Sequence, residues 1–304
     1  MTTQEIIAAA SKHLGRLHGH IFDVLTVAKP VSVEAAVNLA KVISKLSPLL
    51  GNMIEFNTVE FLNTKDDYKE FGTWIRQDPD FPDTILRGSI TPKPGFEIKA
   101  WFPLATEITA RFKESQNHFV NDNTYVAMLA WLPEFIIFGR PKIVGVCVQS
   151  GKSIAAARDE HYHKPPDYLV LEPQDTKART RNLQQTNTNG YKFQGTPAQL
   201  KAAEALVKTW GTDGKVYKPT PKYQAKLQEL LGKFTYRLDT NYAKMDRIAH
   251  AGLEAFKTAI GNEVFHGFSV NQWKRVLASK NETKIRKAVS GLGITDQGAE
   301  GLVR

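Results

Sequence analysis

A single cysteine, Cys147, occurs among 304 residues. No disulfide can therefore form within the chain, and a reducing cytoplasm is the expected compartment. Cys147 sits inside the apolar run 143–148, where a buried packing role is expected. No stretch reaches the roughly 18 uninterrupted apolar residues of a membrane helix. The most apolar segment, 125–139, is broken by Pro133 and Glu134, so a soluble protein with no membrane association is expected. The first twenty residues, MTTQEIIAAASKHLGRLHGH, lack the basic start, apolar block and small-residue cleavage site of an export signal and read as an amphipathic helix. Internal repeats, low-complexity tracts and long Gly/Ser linkers are also missing. A Gly-rich phosphate loop is not formed either: Gly151-Lys152-Ser153 is present, but Val146 occupies the place of the first glycine, and ATP hydrolysis is not indicated. Lys152 keeps the capacity to contact a phosphate at a strand-to-helix turn.

Acidic residues are in short supply. Lys and Arg number 40 against 31 Asp and Glu, a net charge of +9. The excess is uneven: residues 195–304 hold 18 Lys/Arg against 10 Asp/Glu, net +8, which leaves 22 against 21, net +1, for residues 1–194. Such a field favours polyanions, although a solvated basic helix surface accounts for the same count.

The remaining composition, 42% hydrophobic and 10% aromatic, is that of a globular chain able to bury a core. Apolar residues at Ala36, Leu39, Ile43, Leu46 and Leu50 follow helical spacing after an N-cap candidate at Ser32, and residues 1–76 read as mostly helical. Short apolar runs bounded by turn residues follow at 84–90, 95–101, 125–132, 142–149 and 168–171 and predict strands, with helices over 103–114 and 153–161 between them. That alternation predicts an α/β fold with a mixed central β-sheet flanked by helices. Beyond the polar stretch 175–195, helical spacing returns at Leu238, Tyr242, Met245, Ala249, Leu253, Phe256 and Ile260. The expected division is a core of residues 1–194 with N-terminal helices and a C-terminal basic helical extension, 195–304, that arms the protein for DNA, packs on the core or forms a dimer interface.

Chemistry concentrates in residues 79–101, PDFPDTILRGSITPKPGFEIKAW, where Pro82-Asp83 opens one strand and Glu97-Ile98-Lys99 lies in the next. Alternation in a strand projects Glu97 and Lys99 to one face while Phe96, Ile98 and Ala100 face the core. A hairpin brings Asp83 beside them. Two carboxylates and a lysine suit phosphodiester hydrolysis: hard oxygen ligands hold Mg²⁺, which activates water and offsets transition-state charge, and an ammonium orients that water or stabilises the developing anion.

This pattern resembles the signature of the PD-(D/E)XK nucleases, type II restriction endonucleases in particular. Three Pro-Asp pairs occur, ending at Asp80, Asp83 and Asp167, and Asp80 is the rival for Asp83's place. The resemblance implies a restriction-endonuclease-like core, Mg²⁺ as cofactor held by Asp83 and Glu97, and Lys99 assisting the nucleophile. It also implies an acidic residue from an early helix, for which Glu55 is the candidate and Glu60 the alternative one turn on. Implied partners are double-stranded DNA, a second copy of the chain in a homodimer, and a cognate DNA methyltransferase in the same restriction-modification system. The implied activity is hydrolysis of both DNA strands at a short specific sequence. Another nuclease of the same type, acting in repair, junction or phage DNA processing, and a non-enzymatic basic DNA-binding protein are the alternatives.

Downstream, residues 177–192 contain no acid and are crowded with side chains that read bases or hold phosphates: Lys177, Arg179, Arg181, Asn182, Gln184, Gln185, Asn187, Asn189 and Lys192. With Lys152 they are the expected DNA contacts. The cluster of His161 and His163 beside Asp159 and Glu160 lacks zinc-site spacing and reads as a loop.

Overall fold

The computed structural model describes residues 1–77, 80–105, 110–112, 119–162, 169–170, 191–193, 195–214, 220–238, 244–279 and 281–294. In chain order its elements begin with helices α1 (Thr3–Gly15), α2 (Val33–Val42) and α3 (Ser47–Asn63). Strands β1 (Gly72–Arg76), β2 (Thr84–Gly88), β3 (Gly95–Trp101), β4 (Thr124–Pro133) and β5 (Pro141–Ser150) follow. Next come α4 (Gly151–Tyr162), β6 (Leu169–Val170), β7 (Tyr191–Phe193), α5 (Pro197–Lys208), α6 (Pro221–Lys233) and β8 (Tyr236–Leu238). The chain then forms α7 (Ala251–Asn262), the hairpin β9 (Val264–Phe265) and β10 (Phe268–Ser269), α8 (Val270–Ala278) and α9 (Glu282–Ser290).

These elements fall into two compact units. The first comprises Met1–Ala110, Asn121–Gly151 and Ala251–Arg304; the second comprises Arg111–Val120 and Lys152–His250. The first is an α/β unit around a five-stranded mixed sheet in the order β1-β2-β3-β4-β5. β1, β2 and β3 pair antiparallel, β3 and β4 parallel, and β4 and β5 antiparallel. Helices cover both faces. Gly51 of α3 approaches Ala100 so closely that a Cβ there would sit 3.6 Å from Ala100 Cβ, while the next residue, Trp101, meets Phe256 of α7 with ring centroids 5.8 Å apart. Successive strand residues point to opposite faces, so α3 and α7 lie on opposite sides of the sheet. Gly145 of β5 completes the α7 contact, since a side chain there would strike Ile260.

Helix starts follow the sequence signals. Thr2 and Glu5 form a reciprocal capping box on α1, and Ser32 caps α2 by accepting from the Ala35 amide. Residues 1–76 nevertheless end in a strand rather than a helix. Trp74 of β1 is buried against Tyr68 and Phe96 at 5.7 and 5.3 Å, and β1 runs in full register with β2 from Gly72↔Gly88 to Arg76↔Thr84. A hydrophobic contribution of about 2–3 kcal/mol from such a buried aromatic outweighs local propensity.

The second unit has its own core of Phe193, Ala203, Val207, Trp210, Tyr223, Leu227 and Leu230 between α5 and α6, beside a three-stranded sheet in the order β6-β7-β8. Its composition relocates two expectations. The described residues from 251 to 294 belong to the unit of the main sheet, so the compact units do not divide at 194/195. The positive charge follows the units too: the second holds 19 Lys/Arg against 11 Asp/Glu, net +8, and the first 21 against 20, net +1.

Several elements depart from the sequence reading. The apolar period from Leu238 to Ile260 is not one helix: Leu238 ends β8, Met245 opens a 3-10 turn, and only Leu253, Phe256 and Ile260 lie in α7. Met245 belongs to the second unit and Leu253 to the first, and both are buried, so that period runs across two units. Likewise Leu169 and Val170 pair with β7, not with the main sheet. Where a helix is expected over 103–114, residues 103–105 and 110–112 form turns and an Arg111–Lys244 bridge, and 106–109 and 113–114 lie outside the described residues. Among the described residues no helix is long and apolar enough to cross a membrane.

Candidate active site

The two edges of β3 are unequal. One pairs with β4 along all seven residues, from Gly95↔Thr124 to Trp101↔Ala130. The other meets β2 at two positions only, Thr84↔Phe96 and Ile85↔Gly95. Contact there is tight: a Cβ on Gly95 would lie 2.7 Å from Pro82 Cγ and 3.2 Å from the Thr84 carbonyl. Beyond it the strands part, and the β3 amides left without a ladder partner turn to carboxylates. Ile98 N–H donates to Asp83 Oδ2 at 2.7 Å, and Ala100 N–H donates to Glu55 Oε1 at 3.5 Å, a long bond.

Each carboxylate reaches this fork by a separate route. Asp83 is the residue before β2 begins, held by Gln77, whose amide N–H donates to the Asp83 carbonyl and whose Nε2 donates to the Pro82 carbonyl, both at 3.0 Å. Glu55 stands one helical turn after Gly51 on α3. The glycine brings that helix face close to β3, and the same face carries Glu55 to the next free amide. Glu97 projects from β3 itself on the α7 face and accepts the Asp83 amide N–H at 3.2 Å through Oε2.

Lys99 is the hub. Its Nζ lies 2.5 Å from Glu97 Oε1 and 3.4 Å from Asp83 Oδ2. Lys99 and Glu97 are 15% and 11% exposed at the side chain, whereas Asp83 is 30% exposed and is the most open member of the three. The burial of Glu97 is a departure from simple alternation, because helices cover both faces of β3 and leave Lys99 as its one residue that is not fully buried.

Burial dominates the electrostatics. Desolvation pushes Glu55 up to about 7, with the neighbouring carboxylates adding to the rise and the Lys99 ammonium opposing it. Glu97 is raised for the same first reason, against the pull of Lys99. For Lys99, burial works against the charged form, yet Glu97, Asp83 and Glu55 outweigh it and hold the ammonium above its usual range. Fully ionised, three carboxylates and one ammonium leave a formal charge of −2. A divalent cation has the charge this cluster lacks, and its hard oxygen donors are the kind Mg²⁺ takes. Among the described residues, however, no three His, Cys, Asp or Glu side chains already surround one point as metal ligands; Glu97 Oε1 is turned to Lys99.

Four of the site residues named from sequence, Glu55, Asp83, Glu97 and Lys99, therefore meet. The two alternatives do not join them: Asp80 is exposed and its amide N–H donates to the Gln77 carbonyl, and Glu60 is exposed one turn beyond Glu55. Gln77 was not foreseen; its signal was the alternating Thr73-Trp74-Ile75 stretch that makes β1 and delivers Gln77 to the fork. Lys152 is exposed near the start of α4 in the second unit. Of the expected reading segment, Lys177, Arg179, Arg181, Asn182, Gln184, Gln185, Asn187 and Asn189 lie outside the described residues, and only the backbone of Lys192, in β7, lies within them.

No protein-family model matches the chain, and neither does any curated protein or solved structure.

Proposed function

We propose that this chain is a Mg²⁺-dependent DNA endonuclease of the PD-(D/E)XK type, and within that type a type II restriction endonuclease that hydrolyses double-stranded DNA at a short specific sequence. One observation carries the reading: Asp83, Glu97 and Lys99 converge where β2 leaves β3, with Glu55 supplied by a preceding helix. Its order also supports a restriction-endonuclease-like core: a helix bearing an acid, three antiparallel strands, a crossover to a parallel strand, and a further strand.

Asp83 and Glu97, with Glu55 beside them, would hold Mg²⁺, which when bound would supply Lewis acidity at the scissile phosphate and lower the pKa of an attacking water. Lys99 contributes a fixed positive charge, kept protonated at neutral pH by the carboxylates around it, to orient the nucleophile and stabilise the anion that develops. Asp83, more open than Glu97 or Lys99, presents its carboxylate toward solvent and substrate. One such centre cuts one strand, so a homodimer matched to a palindromic site is part of the proposal. A cytoplasmic setting and a partner methyltransferase that protects host DNA belong to it as well.

A second reading has its own observation. The 2.5 Å pair between Lys99 and Glu97 is also what a structural ion pair looks like, and it occupies an oxygen that a metal would need. In that case the chain binds DNA without cutting it. Incubation with unmethylated phage DNA in Mg²⁺, with EDTA and Lys99→Ala as controls, separates the two. Discrete metal-dependent fragments lost in the variant are expected; uncut DNA in every lane overturns the nuclease reading, and a smear in place of bands overturns sequence specificity.

A further inference from the structure

Helices α8 and α9 are joined by residues 279–281 alone, the connection length of a helix-turn-helix, in which the second helix enters the major groove of duplex DNA. Residues 270–290 carry six Lys/Arg against one Asp/Glu. That one acid, Glu282, is engaged: it pairs with Lys41 of α2 at 2.5 Å, and Arg286 one turn later pairs with Glu34 of the same helix. Ile285, Ala288 and Val289 are buried beneath. At 100° per residue these contacts use two sides of α9 and leave Thr283, Lys287 and Ser290 pointing outward, with Lys284 on the flank away from α2. All four are exposed. Among the described residues Lys274 and Arg275 of α8 and Lys284 and Lys287 of α9 have no carboxylate partner. The outward stripe is therefore polar, positive and free of acid, on a helix whose other sides are fixed.

We infer that α8 and α9 form a DNA-docking surface in which Lys284 and Lys287 contact phosphates and Thr283 and Ser290 face the groove. The inference rests on the reading of this chain as a DNA-acting protein and names where on the first unit the duplex is held. Phosphate contact is the chemistry these side chains offer, since each neutralised phosphate releases counterions and steepens the salt dependence of binding.

The test is fluorescence anisotropy of a labelled duplex with the full chain carrying Lys99→Ala, in EDTA, so that binding is read without cutting. Adding Lys284→Gln and Lys287→Gln is expected to weaken binding about tenfold or more and to flatten the plot of log affinity against log salt by roughly 1.8, about 0.9 for each lost phosphate contact. Lys12→Gln with Lys93→Gln, an exposed pair on α1 and the β2–β3 connection, removes the same charge and is expected to change affinity less than about twofold. Ser290→Glu places an anion on the stripe at an exposed position and is expected to weaken binding at least as much as the double change. Melting temperatures near that of the parent chain exclude misfolding. Equal losses in the α9 and control pairs, or an unchanged salt slope, overturn the inference, as does failure of the parent chain to bind duplex DNA. A chain that binds with these effects but never cuts refutes the nuclease reading and leaves this surface standing.

Discussion

The two edges of β3 are made by the same seven residues and do opposite work. On the β4 side every position is matched, and five of the seven opposing residues, Val126 through Ala130, are at most 1% exposed. On the β2 side pairing stops after two positions, and the free amides are held by carboxylates from two other elements. The closed edge supplies stability through burial and a continuous ladder. The open edge gives up ladder bonds and gathers charge in a desolvated place, which raises two of its acids. Functional sites commonly sit where local regularity is abandoned and the surrounding fold holds the exception in place.

The largest expected effect breaks the open edge alone. Lys99→Ala should lower DNA cleavage about 10³-fold, roughly 4 kcal/mol of transition-state stabilisation, in a gel assay under saturating Mg²⁺. Cleavage at parental rates would remove Lys99 from the chemistry. The matching break on the closed edge is Met128→Ala, directly opposite Lys99 and fully buried. It should cost about 2–5 kcal/mol in urea unfolding, through lost burial and a cavity.

A titration sharpens the contrast. Because the folded state raises Glu55 to about 7, the folded protein binds that proton more tightly than the unfolded chain does. Its favourable contribution is complete below the ordinary carboxylate range and is lost as pH rises through about 7. Metal-free stability should therefore fall by up to about 3 kcal/mol between about pH 4.5 and 7, and Glu55→Gln should flatten that segment of the curve. An unchanged pH profile in Glu55→Gln would mean that the acid is not buried as described. The smallest effect is at the junction itself: Gly95→Ala, crowded by Pro82 and Thr84, should destabilise by about 1–3 kcal/mol and displace Asp83, lowering activity more than Met128→Ala does at equal fraction folded.

Much of the central sheet was legible in residue order. β3 has the bounds that its apolar run suggests, and β4, β5 and α4 extend theirs by a residue or two. Asp83, Glu97 and Lys99 were readable because a strand's two-residue period and a short connection leave few ways to arrange them. Gln77 was not, since its role lies in two bonds to the backbone of residues 82 and 83, and the alternation ahead of it marks the strand but not those partners. The 238–260 stretch misled because a helical period records only that residues are buried, not to which compact unit each belongs.

By itself the sequence determined local matters: which runs make strands, that Ser32 starts a helix, that no disulfide forms, and which residue types can carry metal and phosphate chemistry. Those follow from near neighbours and from composition, which do not depend on how the chain returns upon itself. Tertiary structure alone decided that β2 parts from β3 after two residues, that Glu55 rather than Glu60 reaches the gap, and that α7, α8 and α9 join the first unit while the +8 charge gathers in the second. Each of these depends on contacts between residues far apart in the chain, which form only when distant apolar surfaces compete for the same core.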